Sequence, residues 1–255
     1  MNIGFISDIH EDLESLKVGM RLLEQNNCDA IVCLGDIVGF TLPFQRHISA
    51  RDANGCIDLV KDACAVVVAG NHDLYAVRRI PLYTDGFPYG ENWYQLDYDK
   101  RAKLSRNRVW LYEDSELPHF LSPASVEYLS ALPEYKDASF DGIRFCFSHF
   151  HFPDLTGSTL ATPRKPKDLL RHFEFMDERQ CLIGVSGHGH PEGCACCDSA
   201  KLRFLPFGQH VLDKQQQWLV CPCIANTSRS NGVMLLDTSS FQLDVIPLGS
   251  SKSIV

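Results

Sequence analysis

Five clusters of residues able to bind a metal or move a proton lie between positions 8 and 190: Asp8-x-His10, Gly35-Asp36, Gly70-Asn71-His72-Asp73, Ser148-His149 and Gly187-His188-Gly189-His190. Setting Asp73 aside, they supply two aspartates, one asparagine and five histidines. This oxygen and nitrogen donor set is hard to borderline, so it suits Mn, Fe, Zn or Ni rather than a thiolate-bound centre. At the end of a strand, residues two apart point to the same side. Asp8 with His10, and His188 with His190, can therefore each grip one ion or two neighbouring ions. Glycines at 35, 70, 187 and 189 let the backbone turn sharply and approach closely.

The elements that must position these clusters are short apolar runs. Ile3 to Ile6, Ala30 to Leu34, Ala65 to Ala69, Ile143 to Phe147 and Leu182 to Val185 each end abruptly in one of the clusters. Runs this short, rich in Val, Ile and Phe, predict buried strands. Leu13, Leu16, Met20 and Leu23 recur at helical spacing between the first two runs, which predicts a strand–helix–strand crossover and a parallel pair. In an open α/β sheet, ligands bind outside the carboxyl ends of the strands, so the five clusters are expected to converge. Ser122-Pro123 predicts an N-cap and first turn for a helix through Val126, Leu129 and Leu132. Beyond His190, the segments 201–205, 217–221, 232–237 and 241–247 predict short strands in an antiparallel meander, packed as a second sheet on the first. Residues 81–118, with Tyr83, Phe87, Tyr89, Trp93 and Tyr94, predict loops and short helices laid over one face.

Composition excludes some classes. A net charge of −8 over 255 residues argues against general nucleic-acid or anionic-membrane binding, which needs a basic surface. With no signal-like leader and no apolar run long enough for a bilayer, the expectation is a cytoplasmic protein without membrane attachment. The eleven cysteines are then expected mainly as reduced thiols or ligands. Nothing resembling a linker divides residues 1–255, which predicts a single domain.

Asp-x-His, Gly-Asp, Gly-Asn-His-Asp, His and Gly-His-x-His, in this order and at strand ends, resemble the calcineurin-like metallophosphoesterase superfamily. The stretch Gly35-Asp36-Ile37-Val38-Gly39-Phe40 is similar to its small bacterial branch of phosphodiesterases and phosphatases. The resemblance implies a four-layer αββα sandwich of two mixed β-sheets flanked by helices, with a dimetal site at the strand C-terminal ends. It implies two divalent ions (Mn2+, Fe2+/Fe3+, Zn2+ or Ni2+). One would be held by Asp8, His10, Asp36 and His190. The other would be held by Asp36, Asn71, His149 and His188, with Asp36 bridging. A bridging water would attack phosphorus in line, and His72 would protonate the leaving oxygen. The superfamily's protein phosphatases carry Asp and Arg where this chain has Gly39 and Phe40, which points away from that activity and leaves His72 without its orienting carboxylate. Asp73 is the substitute expected. The Asn-Pro-Gly-Ser turn common in the small bacterial branch is here Asn226-Thr227-Ser228-Arg229.

The expected substrate is a small-molecule phosphate ester or nucleotide, with phosphodiesters and dinucleoside polyphosphates ahead of phosphomonoesters. A metal-binding scaffold with lapsed catalysis is the competing class. Another is a metal or redox sensor built on Cys194, Cys196, Cys197, Cys221 and Cys223, although alternation along strands would send neighbouring sulfurs to opposite faces. His151 is expected to face solvent or substrate. His47, His119, His172 and His210 are expected to be structural or surface residues. Arg46, Arg51, Arg78, Arg79 and Arg229 are candidates for clamping a substrate phosphate. The segments 44–54 and 83–98 are expected to shape the rim.

Overall fold

The computed structural model describes residues 1–249. In chain order its elements are β1 (Asn2–Ile6), α1 (Leu13–Gln25), β2 (Ala30–Cys33), α2 (Ala53–Ala63), β3 (Val66–Val67), α3 (Asn71–Ala76), α4 (Tyr98–Ser105), α5 (Pro123–Ala131), β4 (Tyr135–Phe140), β5 (Ile143–Ser148), α6 (Leu170–Glu178), β6 (Ile183–Ser186), β7 (Cys194–Cys197), β8 (Leu202–Leu205), β9 (Gly208–Val211), β10 (Gln217–Val220), β11 (Gly232–Asp237) and β12 (Gln242–Pro247). They build two six-stranded mixed sheets, ordered β3-β2-β1-β11-β12-β9 and β4-β5-β6-β10-β7-β8.

Local sequence sets the helix starts. Asp12 accepts from the Ser15 N–H at 3.0 Å and Asp52 from the Gly55 N–H at 2.8 Å, capping α1 and α2. Ser122 caps α5, with Pro123 in its first turn. The inner faces of the sheets meet in an apolar layer that includes Ile3, Phe5, Val32, Phe147, Val185 and Met234, all fully buried. The Phe5 and Phe147 rings lie 6.2 Å apart within this layer. Burial of each such side chain contributes about 1.5–3 kcal/mol. Outside the first sheet, Leu16 and Leu23 of α1, Ile57 and Val60 of α2, and Leu129 of α5 form a second core. Phe173, Phe175 and Met176 of α6 form a third outside the other sheet. The four expected layers are therefore present.

The strands after His190 depart from the expected meander. β11 and β12 join the first sheet, where β11 runs antiparallel to β1. β10 instead lies parallel to β6 in the second sheet. β10 and β11 need central slots, because both faces of each are buried: Gln217–Val220 is buried throughout, as are Gly232–Leu236. One consequence serves the site. β1, β2 and β3 run parallel in one sheet and β5 and β6 in the other, so the five clusters emerge at the same end.

Candidate metal centre

The loop after β1 is laid along the loop after β2. The N–H groups of Asp8, His10 and Glu11 donate to the carbonyls of Gly35, Asp36 and Ile37, each at 3.0 Å, and that of Ile9 donates to Asp36 at 2.8 Å. Asp8, His10, Asp36, His188 and His190 all have positive φ, between 44° and 63°. This left-handed backbone costs such residues of order 1 kcal/mol each and is held in place by the surrounding contacts. Gly70 meets Asp36 so closely that a Cβ there would collide with its carboxylate.

Three groups of donor atoms result, each with all its members within 4.8 Å of one another: Asp8, His10 and His190; Asp36, His149 and His188; and His10, Asp36 and His72. His190 Nε2 is 2.9 Å from Asp8 Oδ1 and 3.4 Å from His10 Nε2. His149 Nε2 lies 3.0 Å from Asp36 Oδ2, and His188 Nδ1 lies 3.1 Å from Asn71 Oδ1. The groups behind these atoms aim them. His10 and His149 donate through Nδ1 to the carbonyls of Gly39 and Leu34, each at 2.7 Å, which leaves both Nε2 atoms facing inward. Asn71 donates through Nδ2 to the Tyr112 hydroxyl at 2.9 Å, which turns its Oδ1 to the site.

The carboxylates and imidazoles of the site compensate one another, and His149 and His190 are raised, against burial, by the groups beside them. Burial alone disfavours the Asp8 and Asp36 anions, but facing histidines outweigh it and hold both carboxyls well below the usual range. Burial pushes His10 down to about 4 and His188 down to about 3, so both are lone-pair donors at neutral pH. His149 Nε2 is wholly buried and, although close to Asp36, is not aligned for a hydrogen bond. Buried carboxylates facing inward nitrogens, one of them unsatisfied, are a donor set that fits divalent cations.

His72 and Asp73 separate in role. The Asp73 carboxylate is fully buried and accepts four backbone N–H groups: Asp36 at 2.8 Å, Ile37 at 2.9 Å, Val38 at 3.2 Å and Gly70 at 3.0 Å. Burial and nearby Asp36 push its pKa up to about 6, while the four donors favour the anion, which is the form at neutral pH. Asp73 therefore fixes the loop after β2 and does not orient His72, correcting the expectation. The carboxylate on His72 is Glu116, with Oε2 at 2.6 Å from Nδ1. Gly39 makes room for this pair, since a Cβ at its φ of 98° would sit 2.5 Å from His72 Nδ1. Behind Glu116, His119 lies 2.9 Å from Glu116 Oε1 and 3.0 Å from Glu11 Oε1, and Glu11 pairs with Arg51. Burial opposes a charge on His119, but the two carboxylates outweigh it and raise its pKa to about 9.

The calcineurin-like phosphoesterase family profile matches residues 1–200. The chain belongs to this family. It is accordingly a metal-dependent phosphoesterase. An uncharacterized protein from Methanocaldococcus jannaschii is 37% identical over 253 residues, covering 96% of this chain and 86% of that one. Among solved structures, a metallophosphoesterase from Sphaerobacter thermophilus superposes with a TM-score of 0.67 at 17% identity, covering 98% of this chain and 88% of its own. A hypothetical protein from Pyrococcus horikoshii OT3 superposes with a TM-score of 0.59 at 13% identity, covering 99% and 90%. Both structural likenesses concern the fold.

Over the phosphoesterase centre lies a cavity of about 500 Å³. Its rim takes Phe44 and Gln45 from the 44–54 segment, as expected, but Trp110, Leu111 and Ser115 in place of 83–98. The 83–98 aromatics pack on one another instead, around Phe87 and Trp93. Of the five arginines considered, only Arg229 lines the cavity, its Nη1 donating to the His190 carbonyl at 3.0 Å. Arg51 and Arg79 are tied to Glu11 and Glu134, and Arg46 and Arg78 are exposed away from the cavity. His151 is buried against Phe150 and Trp218, correcting its expected exposure, because the chain after β5 folds back over the sheet. Cys194 and Cys196 face the inter-sheet core and Cys197 the opposite face, following strand alternation. Among the described residues all eleven cysteines are free, and none joins a metal-binding group. No described helix is long and apolar enough to cross a membrane.

Proposed function

We propose that this chain hydrolyses small phosphate esters at two divalent metal ions, with phosphodiesters or dinucleoside polyphosphates as substrates. Asp8, His10, Asp36 and His190 hold one ion; Asp36, Asn71, His149 and His188 hold the other. The observation that carries the reading is the position of Asp36, whose carboxylate takes part in two of the three donor groups and is set in the cavity floor. When bound, such ions supply Lewis-acid charge to the phosphate oxygens and acidify a water for in-line attack.

The chain's own groups do the rest. Arg229 offers a guanidinium to the phosphate at the cavity wall. With Nδ1 of His72 on Glu116, Nε2 is the atom left to carry a proton toward the leaving oxygen. Burial opposes a charge on His72, but Glu116 and Asp36 outweigh it and raise its pKa, so the donor form is favoured. The Glu116 carboxylate also supports catalysis over a lapsed scaffold, because it stands where Gly39 left His72 unsupported.

The test is hydrolysis of bis-p-nitrophenyl phosphate and p-nitrophenyl phosphate with Mn2+ and with chelator. Faster Mn-dependent cleavage of the diester is expected. Faster monoester cleavage would move the proposal to a phosphomonoesterase, and metal-loaded protein inert on both would refute it.

A further inference from the structure

A second cavity, of about 510 Å³, opens beside the metal centre. Its floor is the outer face of the second sheet, at the edge of the core that α6 covers. Ala195, Leu202, Phe204, Trp218 and Val220 all point there, since Ala195 pairs with Phe204 and Val220 with Ala195 across adjacent strands. Phe150, Pro163 and Pro191 wall it. Phe204 is 70% exposed, an aromatic ring left in water at the edge of an apolar depression.

Two residues join this cavity to the site. Gly189, between His188 and His190, and Arg229 line both. The ridge between the cavities is thus the turn bearing two of the proposed metal ligands, with a guanidinium on it. His72 lines only the metal cavity. A leaving oxygen must face His72, so a substituent reaching across Gly189 is the one that stays on phosphorus. Glu192 and Arg229 share the wall and offset each other's charge, so nothing there attracts a second anionic group. Apolar floor, exposed ring and charge-balanced wall together select a neutral planar group.

We propose that this cavity is the subsite for the retained ester substituent of a phosphodiester, and that it takes an aromatic group such as an aryl ring or a nucleobase. The proposal rests on the phosphodiesterase reading above. It extends that reading by giving the uncleaved arm its own place, which a monoester would leave empty.

Phenyl p-nitrophenyl phosphate and methyl p-nitrophenyl phosphate release the same leaving group and differ only in the retained arm. With Mn2+, the protein is expected to prefer the phenyl ester in kcat/KM. Phe204→Ala should reduce the phenyl-to-methyl ratio about ten-fold, as loss of one stacking ring does elsewhere, and Phe204→Tyr should restore it. A ratio unchanged in Phe204→Ala overturns the subsite, as it would if another protein simply covered this face. Phe204 is a surface side chain, so its truncation leaves the core intact. Calorimetric titration of diphenyl phosphate into the Mn2+-loaded protein separates the two proposals. Binding weakened about ten-fold by Phe204→Ala supports the subsite even if neither ester is hydrolysed, the outcome that refutes the catalytic reading alone. Equal affinity of the two proteins, or no binding by the unaltered one, overturns the subsite.

Discussion

Replacing Glu116 with Gln tests whether His72 works as an oriented acid. The Glu116 carboxylate is 1% exposed and lies 2.6 Å from His72 Nδ1. Burial opposes a charge on His72, but the adjacent Glu116 carboxylate helps to outweigh it and raises the pKa. Gln keeps the shape and one acceptor but removes the charge, so the imidazolium loses that stabilisation and the ring its fixed orientation. General acid catalysis contributes about 10²- to 10⁴-fold. The expected loss in kcat is about 100-fold for an alkyl leaving group, which needs protonation, and only a few-fold for p-nitrophenolate, which does not. The assay is kcat across phosphodiesters of graded leaving-group basicity, with metal content measured by plasma emission on the same samples. Full metal content with a steeper dependence on leaving group supports the role. An equal loss for every leaving group, or loss of metal, would refute it and make Glu116 a support for the metal centre instead.

Other expectations follow from the same geometry. Asp36→Asn should abolish turnover and weaken metal binding at both positions by more than about 100-fold, since even residues behind a ligand cost 10- to 100-fold; plasma emission after dialysis would show it, and retention of one tightly bound ion would contradict the bridging position. Asp73→Asn should leave the leaving-group dependence unchanged but cost about 3 kcal/mol, because an amide cannot accept from all four buried N–H groups; calorimetry should show Tm lower by about 10 °C. His119 is raised from its ordinary 6.5 to about 9, so its contribution to stability is complete below about pH 6.5 and is lost as pH rises through about 9. The stability gap between the unaltered protein and His119→Gln, up to about 3 kcal/mol, should therefore shrink toward zero by about pH 10 in denaturant titrations, and a constant gap would contradict the ion pairs.

The five metal-competent clusters were legible because each is tied to a short apolar strand, and parallel strands put their carboxyl ends together whatever the loops do. That reasoning brings the five clusters together; the choice of Asp8, His10, Asp36, Asn71, His149, His188 and His190 from among their residues comes from the family resemblance. Strand reasoning fails for β10 and β11, whose short buried runs read the same in either sheet. Partner choice there rests on side-chain packing across the inter-sheet layer, as in the register of Leu219 with Val185.

The support of His72 was illegible for a different reason. Asp73 is its neighbour in sequence, but α3 begins there, and the helical turn carries the Asp73 carboxylate back onto the N–H groups of the loop after β2. Glu116 is 44 residues away in a stretch whose only visible signal was its aromatic content. It arrives because the backbone returns across the site: Leu117 N–H donates to the Phe40 carbonyl at 2.9 Å, and Leu42 N–H to the Ser115 carbonyl at 2.9 Å. These two bonds fasten the 112–118 loop to the segment after Gly39, the one position where absence of a side chain leaves room for His72. A chain that lacks a carboxylate in the loop after its second strand can therefore supply one from a loop distant in sequence, provided the vacated position is small. Any side chain at Gly39 would strike the His72 ring and displace it from Glu116, so Gly39 and Glu116 form one device split between two segments.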